Sequence, residues 1–408
     1  MSPGRPIIAV IFGGRSVEHD VSVLTGLQVL EALDLDRWEG LPVYVAPDGA
    51  WWTGDGLLKR SNYPLDAAAK AKLRPVTLPV GVVAASRPHL LAPKKGLIGS
   101  SVEVMPFDLM VPAIHGSNGE DGSLQGLLDF ARVPYAGCRP LGAAATMDKD
   151  FTKQVLGRLG VPVLPHATIT RPAPGEALTH DRLQTLMDAR LPDWAFPLIV
   201  KPRTLGSSVG VARAEDMDAL TAALLAAFRM DAAAVVEPFV TELVEYNVAV
   251  MRGAAGGARV SAIERPVREA AVLDFKGKYL AGGTAGPKLD EAPSEGMASL
   301  NRVIEPDELT PTQRATIVEA AHTAVDALQL AGSVRIDFLC DGATGRLWLN
   351  EINSVPGSFA YYLWQAADPP LSFTELTTAM IEEGFALAAA QGGDTDAGPG
   401  GATIFARA

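Results

Sequence analysis

Two apolar runs joined by a glycine-rich turn constrain the fold of this 408-residue chain more than any other stretch. They lie between Gly332 and Gly357 and predict strands over Val334–Cys340 and Leu347–Asn353, folded back on each other as a hairpin. Because side chains alternate along a strand, every second residue shares a face. We expect these faces to hold Arg335, Asp337 and Leu339 on the first strand, and Leu347, Leu349, Glu351 and Asn353 on the second.

The polar residues of this hairpin form a predicted metal site. Closing the hairpin about Thr344 sets Asp337 opposite Glu351 and Arg335 opposite Asn353. Two carboxylates directly across a ladder repel each other, and a divalent cation between them reverses the sign of that interaction. Two carboxylates and an amide oxygen suit Mg²⁺ that holds the phosphates of a nucleotide. From these residues alone, an exposed hairpin with solvated charges is the alternative.

Composition limits the partners and the compartment. A net charge of −12 argues against a nucleic-acid or anionic-membrane surface, and 48% hydrophobic with 20% charged residues is ordinary for a soluble globular protein. The two cysteines, Cys138 and Cys340, lack the spacing of a metal site and are expected to be reduced thiols. No apolar stretch has the length of a signal-peptide core or a membrane span. We therefore expect a cytoplasmic protein of two or three domains.

The first third of the chain alternates strands with helices, which predicts a parallel α/β domain. Strands at Ile7–Phe12 and Phe107–Ile114 each lead into a polar, glycine-rich loop and a helix, an arrangement that points backbone N–H groups at a ligand. Glu18 lies in the first loop, where a favourable first-turn acid is the alternative. His115 opens the second loop, where a structural histidine is the alternative. The sequence assigns no role to residues 47–105.

A second glycine-rich loop, R-T-L-G-S-S-V-G, follows a predicted strand over Phe196–Lys201 and precedes a returning strand over Val209–Arg213. The amides between Gly206 and Gly210 can wrap phosphate oxygens, with Lys201 as a fixed cation beside them. This is not a Walker A loop, because the lysine precedes the glycines and a strand follows them. A plain flexible turn is the alternative.

Three further segments complete the pattern. A helix is predicted over Asp148–Gly160, with Lys149 and Lys153 on its exposed side. Residues 269–293 are polar, glycine-rich and without periodicity, as an active-site lid would be, and a disordered linker is the alternative. After Phe385 the chain is low in complexity, which predicts a mobile tail.

Seven motifs, in order along the chain, resemble those of the D-alanine–D-alanine ligase family of the ATP-grasp superfamily. They read F-G-G-R-S-V-E-H-D-V-S, H-G-S-N-G-E-D-G-S-L-Q-G, M-D-K, V-K-P-R-T-L-G-S-S-V-G, G-K-Y, R-I-D and N-E-I-N-S-V-P-G. The resemblance implies an α/β fold in three parts and a tail. These are an N-terminal parallel α/β substrate domain (1–147), a central ATP-grasp subdomain (148–236), a C-terminal antiparallel-sheet domain carrying the metal site (237–385) and a disordered tail (386–408).

The resemblance also implies roles for individual residues. ATP would contact Lys149, Lys201, Gly206, Ser208, Glu237, Glu245 and Lys278, and Asp337, Glu351 and Asn353 would bind Mg²⁺ or Mn²⁺. Glu18, Ser207 and Tyr279 would form the hydrogen-bonded trio that orients the amino acids. Arg335 and the Gly357 amide would stabilise an oxyanion, and His115 and Tyr362 would line the amino-acid sites.

The activity that the resemblance implies is ATP-dependent ligation of two D-alanines through an acyl phosphate, for peptidoglycan synthesis. One departure concerns Tyr362, which stands where the family usually has a serine that binds the carboxylate of the second substrate. The alternatives are therefore a ligase that uses D-lactate, D-serine or a bulkier amino acid as acceptor, and a catalytically idle ATP-binding protein. The expected partners are small D-amino acids, with no nucleic acid or membrane, and a homodimer is one option for the assembly.

Overall fold

The computed structural model describes residues 4–80, 87–95, 100–206, 209–252, 257–267 and 301–391. Four predicted site residues, Ser207, Ser208, Lys278 and Tyr279, lie outside these ranges, as does the predicted lid. The last described helix continues to Gln391, beyond the expected start of the tail at residue 386. None of the helices within the described ranges is both long and apolar enough to cross a membrane.

The elements are numbered here in chain order. The strands are β1 (Ile7–Gly13), β2 (Glu39–Val45), β3 (Trp51–Thr53), β4 (Arg74–Val76), β5 (His89–Lys95), β6 (Ser100–Pro106), β7 (Leu109–Pro112), β8 (Ala167–Thr170), β9 (Leu198–Pro202), β10 (Ala212–Ala214), β11 (Ala233–Pro238), β12 (Leu243–Arg252), β13 (Ala258–Pro266), β14 (Arg302–Ile304), β15 (Val334–Asp341) and β16 (Leu347–Asn353). The helices are α1 (His19–Glu31), α2 (Ala67–Lys70), α3 (Ser123–Phe130), α4 (Pro140–Met147), α5 (Lys149–Arg158), α6 (His180–Arg190), α7 (Met217–Ala227), α8 (Pro311–Ala327), α9 (Tyr361–Gln365) and α10 (Phe373–Gln391). Short 3-10 turns lie at Asp55–Leu58, Arg60–Asn62 and Gly357–Ala360.

The first sheet has five strands in the order β4-β3-β2-β1-β7. β1 pairs in parallel with β2 and β7, and it is buried from Ile8 to Phe12, which explains its unbroken apolar run. The prediction of a parallel α/β domain is correct for the centre of this sheet. Residues 47–105 supply two of its strands, β3 and β4, which are added antiparallel at one edge, while β5 and β6 pair with each other as a separate hairpin.

Two antiparallel sheets follow the first. The second sheet has the order β10-β9-β11-β8, and the third has the order β14-β13-β12-β15-β16. β9 and β10 pair antiparallel, so the prediction that the strand after the glycine-rich loop returns along the strand before it is confirmed. The molecule therefore combines one mixed sheet with two antiparallel sheets, and the predicted α/β class is correct.

The hairpin of β15 and β16 has the predicted register at its open end. Arg335 pairs with Asn353 and Asp337 pairs with Glu351. The alternate residues of β15 point to the other face of the sheet, into the core that α8 covers. They are Val334, Ile336, Phe338 and Cys340. Alternation along β15 thus separates an apolar face from a polar face, as the sequence predicts.

A bulge at Asn350 changes the face of the residues nearer the turn. The register shifts by one residue there, so that Phe338 pairs with Leu349 and Asn350 is left without a partner on β15. The expectation that Leu347 and Leu349 share a face with Glu351 is wrong for this reason. Both leucines are buried in the core beneath the third sheet, while Glu351 lies on the polar face.

Helix α8 closes the apolar face of the third sheet. It begins with a capping box in which Thr310 and Gln313 satisfy each other's backbone N–H groups, and Pro311 occupies its first turn. Ile317 and Val325 are among its fully buried residues. Because the helix occupies one face of the sheet, the polar residues of the opposite face are left to form a site.

Candidate active site

The loops that follow β1 and β7 bring two glutamates together beside Gly116. Glu18 is 6% exposed and Glu120 is 9% exposed. The Glu120 carboxylate accepts hydrogen bonds from the backbone N–H of Gly116 at 2.7 Å and of Val355 at 2.9 Å. Gly116 has a φ of +70°, and a Cβ there would lie 2.3 Å from a carboxylate oxygen of Glu18. A glycine is therefore required at this position.

This acidic pair has unusual electrostatics. Burial, and next the charge of Glu18, raise the pKa of Glu120 to about 8, against the two backbone N–H groups that favour its carboxylate. Near neutral pH the pair therefore either holds a proton or attracts a cation. The ammonium group of an amino acid has the charge and the hydrogen-bond donors that such a pair would bind.

His115 is buried in the same region as a neutral ring. Its Nε2 is 2.8 Å from the hydroxyl of Thr25, which also accepts the backbone N–H of Ser358 at 3.1 Å. Burial, opposed by a backbone hydrogen bond with Val355 and reinforced by the charge of Arg335, lowers the pKa of His115 to about 4. Since the ring is uncharged at neutral pH, His115 can contact a substrate without adding a positive charge.

Two lysines of α5 point inward, so the prediction that Lys149 and Lys153 are exposed is wrong. Lys149 is 8% exposed and Lys153 is 1% exposed, whereas Phe151 on the other side of the helix is 44% exposed. The reason is the fully buried carboxylate of Glu237, at the end of β11, which forms an ion pair with the Lys153 ammonium group. Because a buried charge without a partner is strongly unfavourable, the buried Glu237 carboxylate requires a cation beside it.

Glu237 also binds Lys201, whose Nζ lies 2.7 Å from its Oε2 and donates to the Asn350 side chain at 2.9 Å. Burial opposes ionisation of Glu237, but the two lysines outweigh it and hold the pKa of this carboxyl far below its usual range. Burial also lowers the pKa of Lys153, against the attraction of Glu237. Counting both ammonium groups as charged, the cluster carries two positive charges and one negative charge, and its surplus suits a phosphate.

The glycine-rich loop is fixed at its base on two sides. The Arg203 guanidinium donates to Asp148, the residue that caps the start of α5, at 2.7 Å. Asp231 accepts hydrogen bonds from the backbone N–H and the hydroxyl of Thr204 at 2.7 Å and 3.0 Å. Lys149 donates to the carbonyl of Leu205 at 2.5 Å. These contacts place Gly206 so that its Cα lies close to the Glu18 carboxylate.

The acidic hairpin contributes a buried ion pair. The Arg335 guanidinium donates two hydrogen bonds to Asp337, at 2.6 Å and 2.7 Å, and the Asn353 side-chain amide donates to the same carboxylate at 3.2 Å. Glu351 lies 3.7 Å from the Lys149 ammonium group. Two carboxylates and an amide therefore lie together on one sheet face.

The donor set of this hairpin fits a small divalent cation. The described residues include no cluster of three or more histidine, cysteine, aspartate or glutamate side chains, so a site made entirely of such groups is absent from them. Mg²⁺ is commonly held by one or two carboxylates, with waters and substrate phosphates as its other ligands. Asp337 and Glu351, with the amide of Asn353, match that pattern.

A polar row continues across the third sheet. Asp337 pairs in register with Asn247 of β12, which pairs with Glu264 of β13. The buried Glu264 accepts hydrogen bonds from Asn247 at 3.0 Å, from Tyr362 at 3.3 Å and from Arg302 at 2.7 Å. Arg302 also lies 3.8 Å from the centre of the Tyr362 ring. Burial, then the charge of Glu264, raise the pKa of Tyr362 to about 12, so its hydroxyl stays protonated as a donor.

The structure brings most of the described candidate residues together around one cleft, lined by Glu18, Glu120, Lys149, Gly206, Glu351 and Asn353 among others. Arg335 and Asp337 adjoin it through the ion pair and hydrogen bond described above. Glu245 lies on β12 on the same face as Asp337, two residues before Asn247. Gly357 and Tyr362 follow β16 in the 3-10 turn and in α9.

Sequence reasoning missed four charged residues that are buried or half-buried at the site. Lys153 pairs with Glu237, Glu120 lies beside Glu18, and Glu264 and Arg302 surround Tyr362. For Glu120 the signal was present, because an acid within H-G-S-N-G-E-D-G follows a buried strand, as His115 does. The positions of Glu264 and Arg302 depend on strand pairing between distant segments and have no local signal.

Two family models together match most of the chain. The family model described as D-ala D-ala ligase N-terminus matches residues 7–138, and the one described as D-ala D-ala ligase C-terminus matches residues 155–382. The chain belongs to the D-alanine–D-alanine ligase family. Its members are ATP-dependent ligases. The relatives that match over most of the chain are named D-alanine–D-alanine ligase.

Relatives in the family extend over nearly the whole chain. A D-alanine–D-alanine ligase of Thermosipho africanus is 31% identical over 93% of this chain and 93% of its own length. A D-alanine–D-alanine ligase of Heliobacterium modesticaldum is 32% identical over 94% of this chain and 95% of its own length. The family resemblance of the seven motifs is thereby confirmed.

Solved structures of the family share the fold. The D-alanine–D-alanine ligase from Coxiella burnetii superposes with a TM-score of 0.70 at 23% identity, covering 95% of this chain and 98% of that one. A D-Ala:D-Ser ligase from Enterococcus faecalis superposes with a TM-score of 0.70 at 24% identity, covering 93% and 100%. At this identity the likeness concerns the fold alone, which is the ATP-grasp fold.

Proposed function

We propose that this protein joins two molecules of D-alanine into D-alanyl-D-alanine, with conversion of ATP to ADP and phosphate, for peptidoglycan precursor synthesis. The observation that carries the proposal is the separation of charge between two neighbouring parts of the site. The cationic cluster of Lys153, Glu237 and Lys201 suits the phosphates of a nucleotide, and Lys201 joins it to Asn350, next to Glu351 of the cleft. Glu18 and Glu120, which line the cleft, suit the ammonium group of an amino acid. A ligase that activates an amino acid with ATP needs both.

In the first step, a carboxylate oxygen of the donor D-alanine attacks the γ-phosphorus of ATP. The bond between that phosphorus and the β,γ-bridging oxygen breaks, which leaves ADP and an acyl phosphate. Negative charge spreads over the transferred group, so nearby cations lower the barrier. The residues proposed to bind ATP are Lys149, Lys201, Gly206, Ser208, Glu237, Glu245 and Lys278, and Lys153 joins them through Glu237.

A divalent cation belongs to the proposal. Asp337, Glu351 and Asn353 would hold Mg²⁺, with Mn²⁺ as a substitute of similar preference for oxygen ligands. When bound, such an ion neutralises phosphate charge. The Arg335 guanidinium, which is paired with Asp337, is the cation of this hairpin that would stabilise charge on the reacting carbonyl.

In the second step, the neutral amine of the acceptor attacks the acyl carbon, phosphate leaves, and the amine loses its remaining extra proton. Arg335 and the N–H of Gly357 would stabilise the tetrahedral oxyanion. Glu18, Ser207 and Tyr279 would orient the amino acids, and His115 would contact the donor as a neutral ring. Water must be excluded between the steps, because it hydrolyses the acyl phosphate.

The contacts of Tyr362 bear on the identity of the acceptor substrate. The Tyr362 hydroxyl donates to Glu264 and its ring stacks under Arg302, so it supplies an aromatic wall and not the small hydroxyl of a serine. We propose D-alanine as the acceptor because the Glu18 and Glu120 carboxylates favour a substrate with an ammonium group, which D-lactate lacks. D-serine and D-lactate are the competing acceptors, and one structural neighbour is a D-Ala:D-Ser ligase.

The three-part division of the chain and its location complete the proposal. Residues 1–147, 148–236 and 237–385 would act as substrate domain, central ATP-grasp subdomain and catalytic domain, and each range contains one of the three larger sheets in whole or in large part. A cytoplasmic location agrees with the use of ATP and with two buried, free cysteines.

The test is phosphate release from ATP with Mg²⁺, in the presence and absence of D-alanine. The proposal predicts release that depends on D-alanine, with one dipeptide formed per phosphate. Release that is absent under both conditions would indicate the catalytically idle alternative. Release without a dipeptide, but with D-serine or D-lactate products when these are added, would replace the acceptor.

A further inference from the structure

After Gly357, three successive residues that are not glycine have left-handed backbone conformations. Ser358, Phe359 and Ala360 have φ values of 51°, 51° and 53°. L-residues rarely adopt this conformation because the Cβ approaches the carbonyl oxygen, and each such residue costs free energy. All three are buried. Three in succession therefore need neighbours that hold them in place.

Two side chains from the first part of the chain hold the backbone on either side of Gly357. The N–H of Val355 donates to Glu120 at 2.9 Å, and the N–H of Ser358 donates to the Thr25 hydroxyl at 3.1 Å. The Ser358 hydroxyl donates to Gln28, one turn along α1 from Thr25, at 2.5 Å. These contacts join residues more than two hundred positions apart, so they exist only when the first and third sheets are docked.

The turn is also anchored from beneath. The Ser333 hydroxyl donates to the carbonyl of Phe359 at 2.7 Å and accepts the indole N–H of Trp364 at 2.8 Å. Trp364 is fully buried. Ser333 and Trp364, which belong to residues 237–385, thus hold one side of the turn. The amides next to Gly357 depend instead on Glu120 and Thr25.

We propose that Glu120 and Thr25 are positioning residues, which hold the amides of Val355 and Ser358 so that the Gly357 N–H between them points at the reacting carbonyl. This inference rests on the proposed function, in which Gly357 stabilises the oxyanion. It adds that the oxyanion site is completed by the first part of the chain and not by the hairpin alone. Thr25 holds the turn without touching the reacting atoms, and Glu120 does so in addition to the ammonium binding proposed above for it and Glu18.

Two variants test the positioning role. Thr25→Val keeps the shape of the side chain and removes the hydroxyl, and Thr25→Ser restores the hydroxyl. Glu120→Gln keeps the length but leaves only one oxygen to accept two N–H groups. We expect Thr25→Val and Glu120→Gln to lower kcat roughly 10-fold or more, since a single oxyanion donor is worth about 10²–10³-fold. The KM for ATP should not change, and Thr25→Ser should stay close to the unmodified protein.

A merely structural role is separated by two further measurements. When the oxyanion site is loosened, the acyl phosphate survives longer and meets water, so the dipeptide formed per phosphate released should fall below one. Amide hydrogen exchange should rise about 10-fold or more at Ser358 in Thr25→Val, and at either Val355 or Gly116 in Glu120→Gln, because the single remaining oxygen leaves one of these two N–H groups without its acceptor. A general loss of stability would raise exchange throughout the core, and it would not lower the dipeptide-to-phosphate ratio.

Two matched controls remove similar contacts elsewhere. Thr377→Val deletes a buried hydroxyl that bonds to the carbonyl of Ala32, at the end of α1. Asp108→Asn alters a carboxylate that accepts the N–H of Ile7 at 2.6 Å, at the far end of the first sheet. Both controls should keep kcat, the dipeptide-to-phosphate ratio and the exchange at Ser358 and Val355.

The inference is overturned if Thr25→Val and Glu120→Gln keep a one-to-one ratio, or if exchange stays unchanged at Ser358 in Thr25→Val or at both Val355 and Gly116 in Glu120→Gln. A lowered thermal midpoint with kcat and the ratio intact would also overturn it, by assigning both residues a structural role only. Failure of the proposed function is distinguishable, because it would appear in the unmodified protein as phosphate release without dipeptide.

Discussion

Glu237 and Glu120 are both buried glutamates of the candidate site, yet their pKa values shift in opposite directions. Burial alone would raise both. Glu237 lies between Lys153 and Lys201, which lower its pKa far below the usual range, whereas Glu120 lies beside Glu18 and has a pKa of about 8. The sign of the neighbouring charge therefore decides the outcome.

The opposite pKa shifts of Glu237 and Glu120 indicate which charge each region would bind. The Glu237 region has a surplus of positive charge and would bind an anion, while the Glu120 region has a surplus of negative charge and would bind an ammonium group or a proton. A protein that couples a nucleotide to an amino acid needs both within reach of one cleft. The predictions below disturb one region or the other, beginning with the largest expected effect.

Lys201→Ala should nearly abolish turnover. It removes a cation that faces the proposed phosphate site, and we expect kcat to fall roughly 10³-fold, at the upper end of what one charge-stabilising donor supplies. Circular dichroism should show an intact fold, because Lys201 fills no apolar core. The control is Lys59→Ala at an exposed lysine, which should keep the normal rate. Normal turnover in Lys201→Ala would remove Lys201 from the phosphate site.

Asp337→Asn should also reduce kcat by roughly 10³-fold, because the loss of a carboxylate weakens both the cation site and the ion pair with Arg335. The measurement is kcat as a function of Mg²⁺ concentration, with raised Mg²⁺ restoring part of the rate. Asp341→Asn, near the turn of the same hairpin, serves as the control. An Asp337→Asn enzyme with near-normal activity and normal Mg²⁺ dependence would contradict the metal assignment.

Glu237→Gln should lower stability more than it alters shape. It leaves Lys153 buried without its counter-charge, which costs about 3–5 kcal/mol when one partner of a buried pair is removed. Urea unfolding at neutral pH measures the loss. The surface pair of Glu176 and Arg182 provides the contrast, because Glu176→Gln, at a pair in water, should leave the free energy of unfolding nearly unchanged. Equal effects would mean that burial of the charge is unimportant.

His115 should make the protein less stable in acid. Its pKa is about 4 in the folded protein, against 6.5 in the unfolded chain, so the unfolded chain binds a proton first. The contribution to stability is complete above pH 6.5 and is lost as the pH falls toward 4, by an amount on the order of 3 kcal/mol. Urea unfolding across this range should be flatter for His115→Gln, while His180→Gln, at an exposed histidine, should follow the unmodified protein.

The two regions also differ in how far sequence alone could predict them. The hairpin register was predictable because alternation has a period of two and the turn fixes the pairing of Asp337 with Glu351. The bulge at Asn350 was not, because a single extra residue changes no composition and no periodicity outside the two residues around it. It is nevertheless what turns Leu347 away from the site.

Lys153 shows more clearly what the sequence alone cannot predict. A lysine on a short helix is ordinarily exposed, and nothing within α5 indicates the buried carboxylate that reverses this preference. Glu237 lies 84 positions later in the chain, and only the packing of β11 against the helix brings the two charges together. The contact between Glu120 and the Val355 amide, which spans 235 positions, is hidden from sequence reasoning for the same reason.

The most direct test of the account is product analysis with the unmodified protein at neutral pH. It should be incubated with ATP, Mg²⁺ and equal concentrations of D-alanine and D-lactate, and the products separated by mass spectrometry. The acidic region around Glu18 and Glu120 favours substrates that carry an ammonium group. We therefore expect D-alanyl-D-alanine to dominate over D-alanyl-D-lactate, with one ADP formed per product. A mixture dominated by D-alanyl-D-lactate, or ADP formed without either product, would contradict the account.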